Sequence, residues 1–185
     1  PPSDAFWLTQ QAVALLRAED CEPALKLVRK ALEAEPSNPY AVVTAADALL
    51  GLQKHEEALA GYVECLASPR LAARARKGIL DSLSHLKRWD EVLARLAQWM
   101  LPAEESVAWK VKALAGLKRT DEAIASYQQA LKRVPNEENV SFNLAVAYFR
   151  KGNKARAKEI LDGILPKIKT EELRSSVRDL LEKLK

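Results

Sequence analysis

One line of residues recurs along this chain and governs what it can fold into. A small residue is followed four places on by a large one, three places further by another small one, and about five later by proline. Ala24, Val28, Ala31 and Pro36 make one copy, and Ala123, Tyr127, Ala130 and Pro135 make the fullest. Ala58, Tyr62 and Cys65 make another, with Pro69 one place early. Val92, Leu96 and Trp99, then Ala157, Leu161 and Ile164, complete the set. The leading residues step by 34, 34, 31 and 34. A fixed period of this size is the mark of a stacked array, in which each unit buries its apolar face only against its neighbours.

Residues 121–135 show what one copy encodes. Ala123, Tyr127, Ala130 and Leu131 fall on one stripe at helical spacing, while Gln128, Gln129, Lys132 and Arg133 lie mostly outside it. Asp121 and Glu122 stand at the N-terminal end and Lys132 and Arg133 near the C-terminal end, as the helix dipole favours. Pro135 stops the helix. The two alanines let a neighbouring helix approach closely, and the tyrosine fills the gap beside them.

The first half of each unit repeats as well. Residues 48–58 (ALLGLQKHEEA) match residues 113–123 (ALAGLKRTDEA), and residues 143–152 (NLAVAYFRKG) form the clearest first helix. Together these lines resemble the tetratricopeptide-repeat family over nearly the whole chain. The resemblance implies an all-α fold, a right-handed superhelical array of antiparallel helix pairs. We expect a single domain, 1–185, with units at about 4–36, 38–69, 70–102, 103–135 and 136–166. Ser3 or Asp4 caps the first helix, Asn38-Pro39 opens the third, and Gly51 helps the turn that follows it. The third unit is degenerate: Val92 stands where alanine is expected, Trp99 replaces a small residue, and the next step shortens to 31. Residues 170–184 carry Leu173, Val177, Leu180, Leu181 and Leu184 at heptad-like spacing behind Thr170 and read as a capping helix.

Composition removes several classes of function. With 48% apolar and 29% charged residues the chain is a folded, soluble type, and no apolar run reaches the length of a membrane span. No secretory leader is visible, so a cytoplasmic setting is the default expectation. Net charge is +4, but Lys and Arg alternate with Asp and Glu along every helix, which reads as solvated faces rather than a nucleic-acid footprint. Cys21 and Cys65 are too few for a disulfide framework. His55 and His85 lack partners at metal spacing, the six glycines form no phosphate loop, and acid pairs such as Glu56-Glu57 recur as helix-start charges. We therefore expect no enzyme, no cofactor and no metal.

Function then falls to the surface. In the family it resembles, the first helix of each unit lines the inner face of the stack. Carried over residue by residue, the resemblance places Phe6 in unit one, Tyr40, Thr44 and Asp47 in unit two, and Arg74, Lys77, Gly78 and Asp81 in unit three on that face. Trp109 and Lys112 follow in unit four, and Phe142, Asn143, Val146 and Arg150 in unit five. Four aromatics mapping to one face suit a binding surface as well as packing between units. The Lys and Asn pattern that clamps a peptide's C-terminal carboxylates in one subclass is met only at Asn143; Thr9, Val13 and Thr44 stand at clamp positions without supplying it. The expected partner is another protein, offering an extended peptide or a helix, an acidic one among the candidates, with no membrane insertion. The competing reading is a scaffold that binds RNA or an acidic partner through Arg70, Arg74, Arg76 and Lys77. The core stripe carries its own test: Ala123→Leu should overpack the helix contact and lower stability by roughly 1–3 kcal/mol in thermal melts.

Overall fold

Helical hairpins account for the regular structure in a computed structural model that describes residues 2–99, 101, 103–135 and 137–184, apart from the side chains of Ala103 and Glu104. Among the described residues there are eleven α-helices and no strand. They are α1 (Asp4–Arg17), α2 (Cys21–Ala34), α3 (Pro39–Gly51), α4 (His55–Glu64), α5 (Ala72–His85), α6 (Trp89–Gln98), α7 (Ala103–Gly116), α8 (Thr120–Arg133), α9 (Glu138–Arg150), α10 (Lys154–Ile164) and α11 (Glu171–Lys183). The ten expected unit helices and the terminal helix are all present. The boundaries predicted at Pro102 and Asn136 lie outside the described residues. The chain sorts into two compact bodies, Pro1–Arg88 and Trp89–Lys185, and the break falls between the two helices of the third pair.

Helix starts follow local chemistry. The Ser3 hydroxyl accepts from the Phe6 N–H at 3.3 Å, and the Asn38 side chain accepts from the N–H groups of Tyr40 and Ala41 at 3.1 and 3.3 Å. Asn153 does the same for Arg156 at 3.0 Å. These bonds satisfy donors that the first turn leaves without helical partners. Thr170 occupies the N-cap place of α11, but its side chain makes no cap hydrogen bond.

Each pair turns in the same way. The second residue past the first helix is left-handed, with φ of 63° at Glu19, 60° at Gln53, 57° at Lys87, 59° at Lys118 and 84° at Gly152. The next N–H reaches back to the last helical turn: Asp20 to the Leu15 carbonyl, Lys54 to Leu49 and Arg88 to Leu83, each at 2.9 Å. Arg119 to Leu114 and Asn153 to Tyr148 repeat it at 2.8 and 2.9 Å. This is the bonding of a helix ended by a left-handed residue. Gly51 does not make the turn, contrary to expectation. It is the last residue of α3, and a Cβ there would lie 2.3 Å from the Cys21 sulfur, so close approach to α2 explains it.

Alanine governs the packing. In the first body Ala12, Ala24, Ala31, Ala41 and Ala48 are fully buried together with Val28. In the second, Leu114, Ala123, Ile124, Tyr127, Leu144 and Ala147 form one cluster, with Leu93 and Val107 against it. A further cluster joins Ala145 and Leu161 to Ile168, Val177 and Leu180, so α11 covers the last pair as expected of a cap. One core expectation needs correction. Ala130 is only half-buried and lines a cavity of about 240 Å³ with Val107, Val134 and Val140. Trp99 lies just past α6, which ends at Gln98; it is half-buried, with its ring 5.9 Å from the Arg95 guanidinium.

The glycine turn offers a clean measurement. A Cβ at Gly152 would meet no atom within 4 Å, so Gly152→Ala changes only backbone strain. Denaturant unfolding should show a loss of roughly 1–2 kcal/mol; an unchanged midpoint would mean that this turn adopts another conformation in solution.

Candidate functional site

Each body carries a depression between the first helices of its pairs, and the two differ in how their charges are used. In the first body α1, α3 and α5 surround a cavity of about 740 Å³ that includes Val13, Leu16, Arg17, Asp47, Leu50 and Arg74. Asp47 is committed there. The buried Tyr62 hydroxyl donates to it at 2.5 Å, and the Arg74 guanidinium pairs with its other oxygen. Burial, and then the Asp47 charge, push Tyr62 ionisation upward. The network ties α4 and α5 to α3, which makes it structural cement as much as surface.

Other predicted contacts in this body divide sharply. Phe6 and Tyr40 are exposed, at 42% and 46%, and Phe6 stands edge-on to Trp7 with ring centres 5.3 Å apart. Lys77 is exposed and Asp81 half-buried. Thr44 is 1% exposed and its hydroxyl donates to the Tyr40 carbonyl at 2.7 Å, so it has no surface or donor left for a ligand. Thr9 is spent likewise on the Ala5 carbonyl at 2.7 Å. Gly78 is buried, and a Cβ there would lie 2.3 Å from the Tyr62 ring, so that position serves packing. Of the four cations in the basic patch, Arg74 is neutralised by Asp47 and Arg76 is half-buried, which leaves Arg70 and Lys77 exposed.

In the second body α7 and α9 form the walls of a cavity of about 490 Å³, with Ala123 and Tyr127 of α8 in its floor. Ala108 and Lys112 come from α7, and Asn143, Val146 and Arg150 from α9. Four of the inner-face positions inferred from the sequence, Lys112, Asn143, Val146 and Arg150, are therefore brought together. Lys118, from the turn, adds a third cation, and among the described residues the lining holds no carboxylate. Among the described residues none of these three cations has an ion-pair partner. Burial pushes the Tyr127 phenol up to about 12, against the opposing pull of Arg150, so it stays neutral at physiological pH. Trp109 is half-buried, with the Lys112 ammonium 4.8 Å above its ring. Phe142 is not open groove: it packs against Ala145, Leu161, Ile168, Val177 and Leu180.

Three features escape the repeat pattern. Trp7, at 55% the most exposed large apolar residue among those described, sits one place beyond the inner-face position of α1. Lys118 lies in a turn, and only the cavity shows that it belongs with Lys112 and Arg150. His55 and His85, which look unrelated in sequence, stack with centroids 4.4 Å apart and planes 5° from parallel. A signal for that pair did exist: His55 opens the second helix of one unit and His85 closes the first helix of the next, and antiparallel neighbours bring those ends together. Among the described residues no group of three or more His, Cys, Asp or Glu could hold a metal ion, and no helix is long and apolar enough to cross a membrane.

Known proteins resemble the chain in parts and as a whole. Residues 114–181 match the family profile described as tetratricopeptide repeat, and residues 1–65 match that described as anaphase-promoting complex, cyclosome, subunit 3. Cellulose synthase operon protein C of Pseudomonas fluorescens (strain SBW25) is 30% identical over 173 residues, 86% of this chain; the chain spans 13% of that relative's length. Among solved structures, a tetratricopeptide repeat protein from Parabacteroides merdae ATCC 43184 is 17% identical with a TM-score of 0.75, covering 98% of this chain and 72% of its own. MamA from Desulfovibrio magneticus RS-1 (41 to the end) is 19% identical at a TM-score of 0.72, with coverage of 95% and 97%. YrrB, described as a TPR protein with an unusual peptide-binding site, is 22% identical at 0.66, with coverage of 95% and 92%. These structures share the fold of this chain.

The Asp47 network predicts an order of effects. Tyr62→Phe removes a hydrogen bond to a carboxylate and should lower stability by roughly 1.5–3 kcal/mol, toward the lower end because Arg74 still holds Asp47. Arg74→Ala breaks a pair on the exposed side and should lower it by less than about 1 kcal/mol. Urea titration of both variants checks the order, and a reversal would mean that the ion pair dominates.

Proposed function

We propose, from the premise that the chain belongs to the tetratricopeptide-repeat family, that it is a non-catalytic docking module holding an extended peptide or helix of a partner protein in the groove between α7 and α9. Proteins of this family generally mediate protein–protein interaction. The observation that carries the proposal is the cavity in which Lys112, Lys118 and Arg150 surround an apolar floor without a carboxylate among the described lining residues. Three like charges in one depression disfavour the empty state, and an acidic ligand relieves that repulsion. Ala108, Ala123, Val146 and the Tyr127 ring offer the apolar contact that such a ligand's stem needs. Asn143 brings an amide able both to donate to and to accept from a peptide backbone. The peptide-binding site named in the description of YrrB sets a precedent for this ligand class on this fold.

Each group has a defined part. Lys112 and Arg150 engage acidic side chains, and Lys118 steers them from the rim. Trp109 supplies contact area beside Lys112, whose ammonium already rests over the ring. Partner binding should therefore slow and weaken moderately as salt rises, far less steeply than a nucleic-acid complex.

The test uses acidic, apolar peptides selected on the immobilised chain, with affinity and melting temperature measured for each variant. Trp109→Ala should weaken binding by roughly 2 kcal/mol or more, with helicity and melting temperature nearly unchanged. Lys112→Ala and Arg150→Ala should weaken it and flatten its salt dependence. A Trp109→Ala protein that melts early and loses binding only in proportion would assign the ring to packing. A folded variant with normal binding would sink the proposal.

A further inference from the structure

We propose that the His55–His85 stack is a pH sensor built into the joint between the second and third repeats: acidification through the imidazole range charges the pair and loosens α4 from α5. These are the two histidines of the chain, and the fold brings them face to face. His55 opens α4 and His85 closes α5, and the two helices pack together within the first body. With centroids 4.4 Å apart and planes 5° from parallel, two neutral rings stack favourably, whereas two imidazolium charges at that distance repel. The Nδ1 atom of His55 is buried without a hydrogen-bond partner, so a proton placed there finds no acceptor.

The surrounding carboxylates do not relieve that penalty at His55. On α4, Glu56 is held by Arg88 at 3.2 Å and Glu57 by Lys54 at 3.7 Å. On α3, Asp47 is taken by Tyr62 and Arg74. On α5, Asp81 lies one turn before His85, and its charge acts on Tyr62. Burial is the largest influence on His55 and the His85 charge the next, and both favour its neutral form. Its protonation is thus held below the ordinary imidazole range. The sign follows. The folded state binds fewer protons here than the unfolded chain, so this stability is fully present above the unfolded value near 6.5 and is lost as pH falls from there through the lower folded value. Because α5 carries Arg74, Lys77 and Asp81, loosening it also disturbs the depression of the first body.

The test is made on the full chain. In proton NMR, the imidazole C–H signals of the unaltered protein should give one midpoint below the ordinary histidine value, and His85→Phe, which keeps a flat ring without the charge, should raise it. Between pH 7.5 and 5.5 the unaltered protein should lose about 3 °C more in melting temperature than His85→Phe, since carboxylate effects cancel in the comparison. His85→Gln repeats the test should the larger ring disturb folding. Two histidines that titrate independently at ordinary values, or parallel melting profiles for the unaltered chain and the variants, would overturn the inference.

Discussion

The array depends on helices that approach closely enough for their backbones to interlock, and alanine makes that possible. Ala12, Ala24, Ala31, Ala41, Ala58, Ala75 and Ala157 are wholly buried at helix crossings. An alanine contributes little apolar area, so the burial that drives folding comes from larger neighbours such as Val28, Tyr62, Leu80 and Leu161. The small residues set the spacing and the large ones fill what it leaves. That division releases many of the inner-face positions. Those not drawn into packing, as Gly78 and Phe142 are, can carry charge or aromatic surface without loss of the core.

The two bodies spend that freedom differently. In the first, a carboxylate meets an arginine and a buried phenol, and the network holds three helices in place. A charge pair already satisfied within the protein has little left for a ligand. In the second, the cations in the depression have no carboxylate beside them among the described lining residues. Uncompensated like charge is unfavourable for folding and useful for recognition, because an acidic partner recovers the loss. This contrast is why the proposed docking role falls to the second body rather than to a uniform groove.

The order of helices was fully legible because the period repeats the same physical demand five times. The uses of individual side chains were less so. Thr44 stands on an inner-face position by register, yet a threonine on a helix also donates to the carbonyl four residues back, and here it does. Gly51 looked like a turn residue, but Gln53 accepts the left-handed conformation and the glycine answers the Cys21 sulfur. Phe142 and Trp109 occupy neighbouring register positions in adjacent repeats. Phe142 is drawn into packing by the cluster that includes α11, which the repeat pattern does not contain. Register fixes direction; what lies across the gap decides use, and that depends on residues far apart in sequence.

The third repeat shows how far the repeat is a unit of sequence rather than of packing. Its helices share the same left-handed turn at Lys87, yet α5 belongs to the first body and α6 to the second. The allegiance of α6 follows from its side chains. Leu93 packs on the core of Val111, Leu114 and Tyr127, and a Cβ at Gly116 would lie 2.3 Å from the Trp89 ring, so that glycine makes room for it. On α5, Ile79, Leu80 and Leu83 are buried, and the Tyr62 ring rests on Gly78. Stability in a repeat array is close to a sum of units and neighbour interfaces. A substitution in one body therefore acts first on that body's unfolding, and one melting midpoint for the whole chain need not describe either. Loss of binding in the α7–α9 groove must accordingly be weighed against the stability of the second body alone, and acid-induced loosening at the histidine stack against that of the first.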